Sequence, residues 1–472
     1  MRRSTRFVAV LGSLFLLSAC YTSEPARAAG GAGDGHLQVL PGDLDAGVDA
    51  APRPYDYTWL LSLGVDLPPL HDGGMTPDEP VGWNEGARID VGGDHACALT
   101  RDGKIYCWGA NGLGQVGSDV SGGAACPEPL GDFSCEATPH EVVVPSGHSR
   151  WAAVSAGHTH SCGLTDNGAA FCWGSNGSGE LGNGTHAASY NVATPTPVAV
   201  AGGLRFTAIA AGEHHTCGIA DGAAYCWGAN EDSELGSAVA ADTCLYGACA
   251  MTPSRVGADS DWDAIEAGGQ ITCGLRSGAL YCWGWSGNPQ LGRECNYGEA
   301  CATEVTAVGS DTDWASVSVW ASGTCAIKVD GSLWCWGGDA VQLGNNPTPT
   351  EVALGARATS VAVGENHTCA TLQSGALFCW GLEYSGELGD GPGSPSDCDG
   401  FGCTAEPVRI GNNFQQVSAG YSFNCSIKQS GTLACWGNNR YGQLGTTTTE
   451  TCDTGSGELE SCSTAPVNVA SP

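Results

Sequence analysis

The stretch "HACALTRDGKIYCWG", residues 95–109, sets Cys97 and Cys107 ten residues apart around a turn that ends in Gly103. Six close copies follow: "HSCGLTDNGAAFCWG" (160–174), "HTCGIADGAAYCWG" (215–228), "ITCGLRSGALYCWG" (271–284), "GTCAIKVDGSLWCWG" (323–337), "HTCATLQSGALFCWG" (367–381) and "FNCSIKQSGTLACWG" (423–437). The cysteine separation is ten in five copies and nine in the other two. Where it is ten, a three-residue loop ending in glycine fits ("RDG", "DNG", "VDG" and two of "QSG"), the favoured hairpin of a type I turn followed by a left-handed glycine. Where it is nine, the two-residue "DG" (221–222) or "SG" (277–278) suffices. Both lengths keep the cysteines opposite each other, about 4.5 Å apart at Cα in a non-hydrogen-bonded pair, within disulfide reach. A zinc site would not make turn length and cysteine spacing change together, and no second ligand pair stands at a set distance. The cysteines read as cross-strand staples.

The count agrees. Of 25 cysteines, setting aside Cys20 leaves an even number, which in an exported chain implies a disulfide framework. The hairpins give Cys97–Cys107, Cys162–Cys172, Cys217–Cys226, Cys273–Cys282, Cys325–Cys335, Cys369–Cys379 and Cys425–Cys435. The rest fall into local pairs after "G-x-x-G" segments: Cys126–Cys135, Cys244–Cys249, Cys295–Cys301, Cys398–Cys403 and Cys452–Cys462.

The repeat recurs every 44 to 65 residues, a period that with several short strands per unit signals a propeller. In the second repeat the strands are "RWAAVSAG" (150–157), "HSCGL", "AAFCWG" and, after a Gly/Asn-rich turn, "TPTPVAV" (194–200). The predicted fold is an all-β, disulfide-rich, seven-bladed β-propeller with four-stranded blades. The last such strand, "APVNV" (465–469), has no hairpin after it, so it is expected to join the first blade and close the ring, removing exposed edges. The tryptophans at 108, 173, 227, 283, 336, 380 and 436 are expected to fill equivalent places between blades.

The pattern AG-x-x-H-T-C-x-L-x-x-x-G-x-x-x-C-W-G-x-N-x-x-G-Q-L-G resembles the repeat of the regulator of chromosome condensation family. It is clearest in "YCWGANGLGQVG" (106–117), "FCWGSNGSGELG" (171–182) and "ACWGNNRYGQLG" (434–445). The resemblance covers residues 81–472 and implies a seven-bladed propeller. The family's eukaryotic founder is a nucleotide exchange factor for a nuclear GTPase and binds chromatin. This chain departs from it in its N-terminal signal, its paired cysteines and its lack of basic tails, so exchange activity follows from the resemblance alone. Secreted bacterial propellers of this type, including a β-lactamase-inhibitory protein that grips its target with loops on one face, are the nearer functional analogue.

Arg2, Arg3 and Arg6 precede an apolar run from Phe7 to Leu17, the pattern of a secretory signal and too short to span a bilayer. "LSAC" (17–20) resembles the lipobox of bacterial lipoproteins, which implies cleavage of 1–19, lipidation of Cys20 and an outer-membrane or surface anchor. Residues 20–80 read as an Ala/Gly/Pro/Asp-rich tether with an apolar segment at 55–70, ahead of the propeller at 81–472. The chain carries 50 acidic against 18 basic residues, a formal charge of −32, and no Lys/Arg cluster follows residue 6. Nucleic acid is therefore an unsuitable partner, and the acidity reads as solubility and self-repulsion.

Several motifs invite chemistry that their context withholds. "GLGQVG" (112–117) and "GSGELG" (177–182) match G-x-G-x-x-G but lie inside β-repeats rather than in a strand–turn–helix, so they read as turn glycines. His95, His160, His215 and His367 precede the first cysteine of their hairpins by two and are expected to hydrogen-bond within their own blades rather than share a metal. The aspartates of "DSDWD" (259–263) and "SDTDW" (310–314) read as solvated turns. The segment from Asp397 begins like a calcium loop but has Val408 where a bidentate glutamate is needed. No metal, cofactor or catalytic cluster is expected.

The disulfide loops occupy one equivalent position, and "CLYGAC" (244–249), "CNYGEAC" (295–301) and "CDGFGC" (398–403) each carry an aromatic residue and glycine. Rigid loops lose little entropy on binding, and exposed aromatics are favoured contacts. Tyr246, Tyr297 and Phe401 are therefore the candidate anchors of a monomeric, non-enzymatic scaffold for a protein or glycan partner. Protection of long loops from proteolysis is an equal reading of the same bridges. An exchange factor or an extracellular hydrolase are the alternative classes.

Overall fold

A computed structural model describes residues 87–119, 126, 134–189, 192–236, 242–285, 287, 289–293, 304–320, 323–338, 346–391, 397–398, 401–453 and 459–472. The signal, Cys20, the tether, Tyr297, Cys295 and Cys301 lie outside these residues. The second blade shows the plan: antiparallel strands Trp151–Ala156, His160–Thr165, Ala170–Gly174 and Thr194–Ala199, in that order across the sheet. Seven such sheets follow one another along the chain. Three of them gain a short fifth strand (Asp242–Cys244, Asp397–Cys398 or Glu450–Asp453) from the disulfide loop before the outer strand.

The hairpins form as their turns dictate. Gly103 closes its three-residue loop at φ +85°, whereas the two-residue turn at 221–222 puts Asp221 at φ +50° and Gly222 at φ +73°, both central residues being left-handed as a type I′ turn requires. In the seven hairpin disulfides the cysteines are registered opposite each other with Cα atoms 4.0–4.1 Å apart. Bridges also join Cys126–Cys135, Cys244–Cys249 and Cys452–Cys462, and Cys403 is disulfide-bonded.

Blades are joined by a relay that the repeat spells out. The asparagine of W-G-x-N accepts a backbone N–H five residues on (Val116 to Asn111, Leu181 to Asn176), folding the G-x-x-G loop so that the carbonyl of its Gln or Glu faces the next blade. The indole N–H of the next blade's tryptophan donates to that carbonyl: Trp173 to Gln115, Trp227 to Glu180, Trp283 to Glu234, Trp336 to Gln290, Trp436 to Glu387 and Trp108 to Gln443, at 2.8–2.9 Å. These tryptophans are buried to 0% exposure, between blades as expected.

Closure differs from the expectation. The final strand, Leu459–Asn468, pairs with Leu433–Asn438 of its own hairpin and completes the seventh blade. The first blade already holds four strands, Arg88–Val91, His95–Leu99, Ile105–Ala110 and Cys135–Val142. Each outer strand folds back on the hairpin just before it, so every blade is contiguous in sequence and the ring is sealed by side-chain packing and individual hydrogen bonds instead of a shared sheet. Ile89, Val91, Ala96 and Trp108 pack with Phe423, Ile427, Leu433, Leu444 and Val469. Asp90 clasps both neighbours of the first blade: Ala156 N–H donates to Oδ2 at 2.9 Å and the Ser418 hydroxyl to Oδ1 at 3.3 Å.

The G-x-x-G loops are turns, as expected, and they also make blade contacts. A Cβ on Gly442 of the seventh blade would lie 2.6 Å from Ala137 Cα of the first, so only glycine permits that approach. The aspartate clusters are more than solvated turns. Asp259 and Asp261 hold Arg276 (2.6 and 2.9 Å) over the Trp262 and Tyr281 rings, and Asp311 and Asp313 hold Lys328 (2.6 and 3.2 Å) over Trp314 and Trp334.

Candidate functional site

The first strand of every blade lines a central cavity of about 160 Å³, with Asp90, Ser155, Glu266, Ser318 and Ser418 among its polar residues. The strands alternate in direction, so the turn after the first strand and the loop after the third open on the same face. Among the described residues, that face carries the Cys244–Cys249 and Cys452–Cys462 bridges.

The inner turns form the rim of the cavity. Each is a two-residue turn closed by a backbone bond such as Gly157 N–H to His160 C=O. A second set of bonds links one turn to the next: Gly93 N–H to Gly157 C=O, His158 to Gly212, Glu213 to Gly269, Glu365 to Gly420, and Tyr421 back to Gly93 across the seam. The turn residues are therefore Gly93–Asp94, His158–Thr159, Glu213–His214, Gly269–Gln270, Glu365–Asn366 and Tyr421–Ser422, with the fifth turn outside the described residues. Because the backbone is fixed by its neighbours, this pair can vary in side chain without changing the fold.

Aromatic rings meet over the small first turn. His158 lies 5.7 Å from Tyr421 in an edge contact and 6.4 Å from His214, and His214 stacks on Tyr246 at 5.2 Å and 17°. Gly93 makes the gap: a Cβ there would come within 3.0 Å of the His158 ring and 2.8 Å of its carbonyl. Tyr246 reaches this band from the Cys244–Cys249 loop, which is tied to the second blade by the Leu245 N–H to Gly177 C=O bond. Tyr246 and Tyr421 remain 38% and 39% exposed.

Carboxylates surround the band. Tyr421 hydrogen-bonds Glu365, and burial with the fields of Glu365, Asp94 and Glu213 pushes its hydroxyl up to about 12. Burial, then repulsion from Glu460, lifts Asp94 to about 6, and burial with Asp94 and Glu213 nearby raises Glu365. Arg440 opposes the field at Asp94 but is itself bound to Glu460 at 2.6 Å. Burial lowers His158, with Glu213 opposing that shift.

Of the sequence-predicted anchors, Tyr246 stands on this face as part of the stack; Tyr297 and the side chain of Phe401 lie outside the described residues. Tyr421, His158, His214, Glu213 and Glu365 were not anticipated. Their signal was the variable pair between the Ala-Gly or Val-Gly step and the hairpin.

The four histidines bond across blades, contrary to the within-blade expectation. His95 Nε2 meets Ser161 Oγ (2.8 Å), His160 and His215 meet Thr216 and Thr272 (2.9 Å each), and His367 meets Asn424 Oδ1 (2.8 Å). Each partner donates in turn to the loop carbonyl that the tryptophan uses, as Ser161 does to Gln115. The hydroxyl proton is thus committed and Nε2 must donate. Among the described residues no group of three or more His, Cys, Asp or Glu is placed to hold a metal ion.

The described blades define a seven-bladed β-propeller. Residues 87–115, 151–180, 358–387 and 414–443 match one family model described as the Regulator of chromosome condensation (RCC1) repeat, and 102–164 and 167–219 match another; the chain carries RCC1 repeats. It is similar to the Ultraviolet-B receptor UVR8 of Arabidopsis thaliana, 27% identical over 270 residues and 55% of each chain. It is likewise similar to Protein pim1 of Schizosaccharomyces pombe, 27% identical over 276 residues, 56% of this chain and 50% of that one. The chain spans about half the length of these curated relatives. Among solved structures, human WBSCR16 shares the fold (TM-score 0.63, 19% identity, 78% of this chain and 95% of that one). So does Prp20p of Saccharomyces cerevisiae, described with its binding to Gsp1p and histones (TM-score 0.60, 22% identity, 72% and 81%).

Proposed function

We propose that this chain is a non-enzymatic binding propeller whose rim face holds a protein partner, and that it does so outside the cytoplasm on a lipid anchor at Cys20. The observation that carries the binding face is the stacked Tyr246–His214 pair beside exposed Tyr421, held by a disulfide loop and an interlocked ring of turns. Pre-ordered aromatics lose little entropy when covered, which favours them as interface anchors. Binding of Gsp1p and histones by Prp20p supports a protein over a glycan as the class of partner. The export and anchoring part rests on the Arg-rich, apolar N-terminus with "LSAC" and on the disulfide framework, which persists in oxidising compartments.

The test is affinity capture from the native envelope with the oxidised full chain, followed by mass spectrometry. A partner held by the wild type should lose at least about 30-fold in affinity on Tyr246→Ala with Tyr421→Ala, the loss of an anchor worth about 2 kcal/mol or more. Equal retention by the double variant would remove the rim face from the reading. Metabolic labelling with a fatty-acid probe that vanishes in Cys20→Ser tests the anchor.

A further inference from the structure

The disulfides differ in their reach to solvent. In the seven hairpin bridges both cysteines are at 0% exposure, and they lie among the residues that pack between blades, as Cys217 and Cys226 do with Trp283. The rim-face bridges each keep one cysteine in reach: Cys244 is 8% exposed and Cys452 is half-buried. Cys244 ends the strand Asp242–Cys244, which is the edge of its sheet and meets Gly247–Arg255 through three residue pairs. The bridge runs diagonally across them, since Cys244 faces Gly247 and Cys249 faces Asp242. The Cys249 side is anchored without it: Ala229 and Gly228 pair with Cys249 and Ala250, and Asn230 N–H donates to Ala248 C=O at 2.9 Å. The Cys244 side leads straight into Tyr246, whose ring covers Gly177 so closely that a Cβ there would lie 2.7 Å from it.

We propose that the Cys244–Cys249 bridge is a thiol-sensitive latch that fixes Tyr246 on the rim and opens while the ring stays closed. The thiolate of a small thiol attacks Sγ of Cys244, the more exposed cysteine; the bond to Cys249 breaks and Cys249 leaves as a thiolate. A second small thiolate attacks the small thiol's sulfur in that mixed disulfide and frees Cys244. Two small thiols are thus oxidised to one disulfide, the bridge gains their two electrons, and their two protons end on Cys244 and Cys249. Access decides which bridge exchanges first. An edge strand yields its bridge by local opening, whereas a bridge at 0% exposure between blades must wait for the blades to part. Opening removes the loop closure that pre-orders Tyr246 against His214. The latch rests on this loop geometry, and its effect on binding rests on the rim being the binding face.

The test exposes the oxidised full chain to graded reduced glutathione, quenches with N-ethylmaleimide and maps the labelled peptides. Near-UV circular dichroism follows the same samples, and after thiol removal hydroxyl-radical footprinting compares Tyr246 with Tyr421. Cys244 and Cys249 should be labelled at least about tenfold faster than Cys217 and Cys226, with the dichroism retained while that label accumulates. Oxidation of Tyr246 relative to Tyr421 should rise about twofold or more, and Cys244→Ser with Cys249→Ser should show the raised ratio without glutathione. Labelling at the hairpin rate, loss of dichroism in step with the Cys244 label, or an unchanged Tyr246 ratio with the bridge open would overturn the latch. These readouts need no partner. If they fail while a captured partner still depends on Tyr246 and Tyr421, the latch alone falls; if they hold while that partner is indifferent to both tyrosines, the binding face falls and the latch stands.

Discussion

Reduction should unfold this protein at room temperature without any denaturant. Each hairpin bridge closes a loop of about ten residues, worth roughly 2–3 kcal/mol on the chain-entropy model. Seven stand at equivalent places, one per blade, and further bridges close the rim loops. A domain's net stability is about 5–15 kcal/mol, so the hairpin bridges together rival or exceed the whole margin. The blades explain the dependence. Glycine and alanine are frequent in the inner strands, as in "AVSAG" and "AIAAG", so each sheet buries little apolar area of its own, and its tryptophan packs mainly against a neighbour. The measurement is near-UV circular dichroism of the tryptophans during reduction, against a thiol titration. The signal should collapse cooperatively after the first few bridges open, because a blade that loosens withdraws the indole and carbonyl its neighbours use. Retention of the native spectrum with all hairpin thiols free would show that packing alone holds the ring. A single removal, Cys217→Ala with Cys226→Ala, should cost about 2–3 kcal/mol and leave the fold in place.

The wheel was legible because turn length and cysteine spacing vary together, a constraint that only a cross-strand pair imposes. The closure was not. "APVNV" is chemically the same strand as "TPTPV" or "EPVRI", and nothing in its own residues says whether it pairs forward or back. The deciding contacts are those of Asp90 with Ala156 and Ser418, which seal the ring without a shared sheet and lie 327 or more residues apart on the seam side. The histidine relay was legible in principle. Each of His95, His160, His215 and His367 is followed, one repeat later, by a Ser, Thr or Asn just before the first cysteine: Ser161, Thr216, Thr272 and Asn424. At the seam the pair is Phe423 with Ala96, apolar on both sides. In these five pairs polar meets polar and apolar meets apolar because a buried imidazole N–H without an acceptor is costly, whereas Thr324 and Thr368 follow Ile271 and Gly323. Read blade by blade, the histidines seemed local; read across blades, they name their partners. The rim residues escaped because they vary between repeats, which is where a repeated scaffold carries its individual chemistry.

That relay also sets a pH optimum of stability. Burial holds His95 and His215 down at about 3 and His367 at about 4, and drives His160 well below its ordinary value. The geometry gives the reason: Nε2 already donates, and the buried Nδ1 atoms of His95, His160 and His367 have no partner to accept a second proton's bond. Unfolded histidine titrates near 6.5, so between that value and about 3 the unfolded chain binds more protons and stability falls as the pH drops. Each histidine contributes about 1.4 kcal/mol per pH unit in that window. Buried carboxylates act the other way. Burial lifts Glu234 and Glu387 to about 7 and Glu266, facing Asp90 in the cavity, to about 8. Between about 4.5 and those values the folded chain binds more protons, so their stabilising contribution is lost as the pH rises. From 4.5 to 6.5 the two sets oppose each other, Asp94 adding to the carboxylates between about 3.8 and 6; below that range the histidines prevail, and above it the carboxylates do. Thermal melts should therefore peak between about pH 5 and 6 and fall on both sides, steeply in acid. Converting one relay to the seam's own chemistry, His95→Phe with Ser161→Ala, should shallow the acid limb, whereas Glu266→Gln should flatten only the alkaline one. An acid limb of unchanged slope in the first variant would place the proton uptake elsewhere than in the relay.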